Sequence, residues 1–476
     1  MSKDAKRVAV DWVEGNVERL IEVSDAIWSY AELGFVEFKS AKLLSEELEA
    51  HGFEVERGVA GIPTAFVATW GKGSPVIGVM GEYDALPGLS QEAVPRKAPV
   101  EEGAPGHGCG HNIHGTSGMA GAIAVRRAME KIGIPGTLKF FGCPAEEMLS
   151  GKVWMVREGV FDGVDAVLSH HPGSMNTAKL SSSNANNAVK FHFRGKTAHA
   201  AGNPEQGRSA LDAVELMNMG VNYMREHMIQ DARVHYTIEA GGGQPNVVPD
   251  YARSWYLIRA PERHQLEAIY DRILKIAEGA ALMTETTLRV EFVKGIYNKM
   301  PNRTLSELVL GNMRKIGTPE YTDEERRFAA EISKTVTPEA KRDSLWKTKR
   351  PGWEELLDVL LDDTVPDDWN EGEVGHGSTD VSDVSWNTPT MEFGTTTYPL
   401  GAPGHSWQIV ALSGTSIGHK SLVFASKVLA VSAIDLLTSP DLLKRAKEEL
   451  RERLGDRVYK TPLPVDAKPP LDQWTE

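Results

Sequence analysis

The chain has 476 residues, 41% of them hydrophobic and 25% charged, and a formal net charge of −14. It is too long for one ordinary core and predicts two or three domains, and so acidic a balance argues against non-specific nucleic-acid or anionic-membrane binding. Cys109 and Cys143 are the only cysteines. They leave no disulfide framework to build on, and reduced thiols fit a cytoplasmic location.

The polar stretch from Met1 to Arg7 leads into no signal-like apolar core, and no uninterrupted apolar run reads as long enough to span a bilayer. From Val8 to Ala50 the apolar residues recur at helical spacing, predicting one or two amphipathic helices broken near Gly34. The period then changes. Short apolar runs at 64–70 and 75–80, bounded by Gly and Pro, predict buried strands, and the second ends in Gly-Glu-Tyr-Asp with Asp84 just past its end. A loop rich in Pro, Glu and Gly follows to Gly108, and an Ala- and Met-rich helix is expected over 116–132.

Two further strands are expected at 137–142 and 164–169. Each runs into polar residues at its carboxyl end, Pro-Ala-Glu146-Glu147 and His170-His171-Pro. When strands and helices alternate, the carboxyl ends of parallel strands meet at one edge of the sheet, where ligands bind. Asp84, Cys109, His111, Glu146, Glu147 and His171 are therefore expected in one cleft.

A polar connector near Ser181 introduces a compact α+β unit with strands near 189–194, 234–239, 254–258 and 287–292 and helices near 209–227 and 264–283. The expected division is a main α/β domain over 1–183 and 298–476, with a mainly parallel sheet and helices on both faces. A smaller domain over 184–297 is inserted in it. A charged stretch at about 318–374 with little apolar periodicity reads either as a solvated surface insertion or as a cover over the cleft. A strand at 388–393, a Gly- and Pro-rich loop ending in His405, and an apolar helix over 417–437 complete the chain.

The stretch Gly106-His-Gly-Cys-Gly-His-Asn-Ile-His114 puts soft thiolate and imidazole ligands among glycines, a pairing that zinc favours. Adjacent glutamates in a dry cleft repel each other unless a cation compensates, although at a helix amino terminus they would need none. A site with three imidazoles, a thiolate and a carboxylate has donors enough for two divalent metals.

The succession Gly-Glu-Tyr-Asp-Ala-Leu-Pro, Gly-Cys-Gly-His, Pro-Ala-Glu-Glu, His-His-Pro, Gly-Lys-Thr-Ala-His-Ala and a late His405 resembles the zinc-dependent aminoacylase and carboxypeptidase family over nearly the whole chain. Within it the similarity is to the amidohydrolase branch that includes the indole-acetyl-amino-acid hydrolases. The resemblance implies that Cys109, His111, Glu147, His171 and His405 ligate two metal ions, zinc, manganese or cobalt, with Cys109 bridging. It gives Asp84 the task of fixing a ligand histidine's tautomer and Glu146 that of general base. It has His199 reach a substrate oxygen, in many relatives across a dimer interface, and Asn246 and Arg259 hold the substrate carboxylate. The inserted unit becomes a ferredoxin-like dimerisation domain, in a homodimer or in a heterodimer with a paralogous chain.

The implied reaction is hydrolysis of the amide bond of an N-acyl amino acid, with p-aminobenzoyl-glutamate first among the substrates. A broader aminoacylase, dipeptidase or aminopeptidase is the alternative within enzymes, and a non-catalytic, metal-holding partner protein the alternative outside them. Asn112 and Cys143 depart from the branch, which mostly carries aspartate and glutamine there. Cys143 is expected to be a spectator. The small domain offers no obvious basic cluster beyond Arg259.

Overall fold

The computed structural model describes residues 2–473; Met1 and 474–476, at the outer ends of the expected domain ranges, lie outside them. Three helices, Ser2–Gly15, Val17–Tyr30 and Phe38–Ala50, open the chain. They are followed by β1 (Glu54–Arg57), β2 (Phe66–Lys72), β3 (Val76–Glu82), β4 (Gly136–Cys143) and β5 (Ala166–Gly173). The chain then passes through the two-residue β6 (Ser182–Ser183) into β7 (Ala185–Arg194), β8 (Arg233–Ala240), β9 (Tyr251–Ala260) and β10 (Thr287–Ile296), and returns through β11 (Val374–Gly375) and β12 (Thr390–Thr396).

The main sheet has the order β1-β2-β4-β3-β5-β12. β4, β3, β5 and β12 are parallel, and β2 and β1 add an antiparallel edge. This is the mainly parallel α/β architecture expected. Its strands are covered on both faces, so they read as unbroken apolar runs. Ile77, Val79, Leu138, Phe140 and Leu168 pack into the core beneath helices His111–Ile132 and Ser416–Thr438. Their neighbours Met80, Phe141 and Val167 point the other way, into a second core with Val153, Trp154 and Val381.

Glycines let helix His111–Ile132 lie directly on β3. A Cβ at Gly115 would sit 2.6 Å from the Glu82 carbonyl oxygen, and one at Gly118 2.6 Å from that of Met80. The contact fixes the height of the helix, and with it the position of His111 at its first turn. Two expectations are corrected here. The helix begins at His111 rather than Thr116, so His111 stands on helix and not in the glycine loop, and His170 and His171 lie within β5 rather than beyond it.

Helix Ser416–Thr438, though interrupted by Lys420 and Lys427, is the one described helix with the length and composition of a bilayer span. It is long and apolar enough, but 78% of its apolar window is buried inside the fold, as in a core helix.

The second sheet, order β10-β7-β9-β8, is antiparallel and has its own core beneath helices Ala210–Met224 and Arg263–Thr284. The charged stretch after 318 is not wholly solvated. Tyr321, Ala329, Ile332 and Leu361 pack against Leu412 and Ile417, and Leu345 and Leu356 against Met175 and Leu400. Its residues 347–349, 369–370 and 372–374 form part of the wall of a cleft of about 1140 Å³ that His171 and Arg259 also line.

Candidate metal centre and active site

The site assembles at the carboxyl ends of the parallel strands. Asp84, two residues past β3, is 1% exposed and serves two partners. Its Oδ1 accepts from His111 Nδ1 at 2.8 Å and its Oδ2 from the Glu147 amide at 3.0 Å. With Nδ1 donating, the Nε2 of a neutral His111 keeps its lone pair for a ligand.

Cys109 precedes this helix by two residues, and the turn between them depends on Gly110, which has φ +76°. His171 Nδ1 is hydrogen-bonded to the Pro172 carbonyl oxygen at 2.8 Å, which turns its Nε2 to within 3.3 Å of Cys109 Sγ. The neighbouring His170 is fully buried, with Nδ1 2.9 Å from Ser117 Oγ and Nε2 2.7 Å from Thr395 Oγ1. Of the two, His171 is the one free to ligate.

His405 arrives from the far loop with φ +52°, an unusual backbone for a histidine, fixed by its amide donating to the Gly108 carbonyl at 3.1 Å. Its Nε2 is 3.3 Å from Glu147 Oε2.

Two groups of potential ligands include Cys109. In each, the donor atoms all lie within 4.8 Å of one another: Cys109 with His111 and His171, and Cys109 with Glu147 and His405. Cys109 is common to both. Burial acts to raise the Cys109 thiol, but His171 and, by hydrogen bonding, His111, His171 and His405 hold it well below its ordinary value, which favours the thiolate a metal would take. His111 Nε2 and Glu147 Oε1 are buried without a hydrogen-bond partner among the described residues. A thiolate shared by two imidazole-containing groups, together with donor atoms left unsatisfied, suits a pair of divalent cations.

The chain matches the family described as peptidase family M20/M25/M40 over residues 78–411. It belongs to peptidase family M20/M25/M40. As a member it is a metal-dependent amide hydrolase. It is 43% identical over 473 residues to one of the chains of p-aminobenzoyl-glutamate hydrolase from Escherichia coli (strain K12), spanning 96% of this chain and 97% of that one. It is also 29% identical over 304 residues to a different chain of the same hydrolase from the same organism, covering 53% of this chain and 69% of the other. Among solved structures, a putative aminohydrolase from methicillin-resistant Staphylococcus aureus shares the fold, with a TM-score of 0.64 and 19% identity over 91% of this chain and the whole of the other.

In this M20 hydrolase Glu146 and Glu147 occupy a turn between β4 and helix Gly151–Arg157. Ala145 and Ser150, on either side of them, both have positive φ, 59° and 56°. The Ala145 amide donates to Glu37 Oε1 at 2.8 Å, and Glu37, fully buried, also accepts from Thr64 Oγ1 at 2.9 Å. Glu37 thus fixes the strained turn. Burial, with Glu82 and Asp380 adding to it, raises the Glu146 carboxyl to about 8.

Behind Glu146 lies a charged cluster that the sequence reading missed. Lys152, with no exposed side-chain surface, places Nζ 2.6 Å from both Glu82 Oε1 and Asp380 Oδ1. Burial works to raise Glu82, but Lys152, His114 and His111 outweigh it and hold the carboxylate well below its usual range. Glu82 Oε2 is 3.2 Å from His111 Nε2, and Glu82, His111 and Glu146 offer donor atoms within 4.8 Å of one another. His114 is no ligand there: its Nδ1 accepts from the Glu82 amide at 2.8 Å, so its Nε2 carries the proton. A charge ending an apolar strand at Glu82 was the available signal, but its partners stand 70 and 298 positions away in Lys152 and Asp380.

The three residues expected to hold substrate are not all brought together. Arg259, on β9, lines the cleft with His171 and donates to the His376 carbonyl oxygen at 3.2 Å. His199 and Asn246 are exposed on a paired turn of the small domain, where the Ala200 amide donates to the Asn246 carbonyl at 3.0 Å; neither lines this cleft. Asn112 Nδ2 donates to Ser24 Oγ and the Ser413 carbonyl, and Cys143 is fully buried with burial pushing its thiol up.

Proposed function

We propose that the chain hydrolyses the amide bond of N-acyl amino acids, with p-aminobenzoyl-glutamate as the representative substrate and p-aminobenzoate and glutamate as products. The observation that carries the choice of substrate is the 43% identity, over nearly the full length of both chains, to a relative named for that reaction.

In this reading Cys109, His111, Glu147, His171 and His405 hold two zinc or manganese ions, with Cys109 shared. The ions, when bound, polarise the scissile carbonyl and acidify the attacking water. Glu146 takes the water's proton and passes it to the departing amine, so that the amino acid leaves as a neutral amine. Glu146, raised by burial and by Glu82 and Asp380, would be ionised beside bound cations, as a base requires. Asp84 holds His111 and the Glu147 backbone in register. Arg259 anchors the α-carboxylate through its planar guanidinium.

His199 and Asn246 reach a site only across a dimer. Support for a dimer through the small domain comes from its exposed apolar side chains, Leu216, Met219 and Tyr223 on one helix and Ile238 on the edge strand β8. Similarity to two different chains of one hydrolase supports a second copy or a paralogous chain as the partner. The two free cysteines fit a cytoplasmic location.

The test is a hydrolysis panel of N-acyl amino acids on the purified protein, before and after chelation. Cleavage of p-aminobenzoyl-glutamate should vanish on exhaustive chelation and return with zinc, manganese or cobalt. Turnover that survives chelation would contradict the metal mechanism.

A further inference from the structure

The cleft shared by His171 and Arg259 has a charge opposite to that of the chain. Six Lys and Arg side chains line it against three Asp and Glu, although the whole protein carries −14. Lys349 is neutralised by its ion pair with Glu373. Lys179 and Lys299, which also line it, form no ion pair with any described residue.

Both lysines are fixed at the backbone. On either side of Lys179, the Ala178 carbonyl accepts from Ser306 Oγ at 2.7 Å and the Leu180 amide donates to Asn370 Oδ1 at 2.9 Å. The Lys299 amide donates to Ser183 Oγ at 3.2 Å, and its carbonyl accepts from Ser182 Oγ at 2.7 Å. β6 and the charged insertion therefore fix the backbone from which both stems enter the cleft. Lys179 is exposed to the cleft, where Lys299 acts against its charged form and Glu392, which lines the same cleft, favours it. Two ammonium groups facing one cavity are unfavourable until an anion joins them.

We propose that Lys179 and Lys299 form a second anion subsite, which takes the side-chain carboxylate of the departing amino acid and so selects N-acyl derivatives of dicarboxylic amino acids. The inference rests on the reading of this cleft as an N-acyl amino-acid site in which Arg259 takes the α-carboxylate. A paired-lysine subsite discriminates by charge more than by shape, so glutamate should be favoured over glutamine, its uncharged near-isostere.

The experiment compares p-aminobenzoyl-glutamate with p-aminobenzoyl-glutamine in wild type, Lys179→Met and Lys299→Met, with calorimetric binding of free glutamate and glutamine to the same metal-loaded proteins. The wild-type preference for glutamate should fall roughly ten- to hundredfold in each variant, mainly through KM. Unfolding temperature and metal content verify that the variants are folded and loaded. A wild-type protein that treats the two conjugates alike, or variants that keep its preference, would overturn the subsite. So would a preference that follows a carboxylate on the acyl half instead. If no conjugate is cleaved but the lysines still govern glutamate binding, the hydrolase reading fails and the subsite stands.

Discussion

Replacing Glu146 with alanine should lower kcat by roughly 10²–10⁴-fold, the usual range for a lost general base, while bound metal stays at the wild-type level. The expectation follows from where the two adjacent glutamates point. Glu147 faces His405 and Cys109, with Oε2 3.3 Å from His405 Nε2, and its amide is fixed by Asp84. Glu146 belongs to neither Cys109-centred group and instead lies with Glu82 and His111. The turn that carries both has positive φ at Ala145 and Ser150 and is secured by Glu37, so the backbone from which each carboxylate projects is fixed. Steady-state kinetics and elemental analysis on the same preparation check the prediction. Joint loss of metal and turnover would show that base and ligand have been assigned the wrong way round.

The second large effect concerns stability. Lys152→Met should destabilise the fold by about 3–5 kcal/mol, because it leaves the buried Glu82 and Asp380 without the cation between them. Both carboxylates are fully buried, and the lysine's own amide also donates to Asp380 Oδ2 at 2.9 Å. Urea unfolding of the metal-free proteins would read this loss directly. An unchanged midpoint would mean that water or a neighbouring group replaces the ammonium. Because the same cluster backs His111 and Glu146, the variant should also lose activity at temperatures where it remains folded.

What could be read from the sequence follows the physics of each element. Strands covered on both faces give unbroken apolar runs, so β3, β4 and β5 are visible as runs, and their carboxyl ends point to the site. Their limits are less visible: His170 and His171 continue β5 although polar, because β12 pairs with them through Phe393 and Gly394. The start of helix His111–Ile132 was hidden by the glycine-rich stretch that leads into it, in which Gly115 reads as loop but serves close contact with β3.

Long-range charge pairing left no local trace. Nothing near Lys152 in sequence announces Glu82 or Asp380. The insertion after 318 lacked apolar periodicity because its few aromatic and aliphatic residues serve two small clusters rather than one helix face. For the same reason the cationic lining of the cleft could not be read from the small domain alone. Lys179 and Lys299 stand just outside it, at the two junctions where the chain enters and leaves.

The central claim is that one thiolate joins two ligand groups and so holds two metal ions beside Glu146. Metal stoichiometry of the saturated, desalted protein, measured for wild type and for Cys109→Ala, tests it most directly. Two ions per wild-type chain and loss of at least one in the variant are the expected result. A wild-type protein that retains a single ion at saturation, or a Cys109→Ala protein that still retains two, would contradict it.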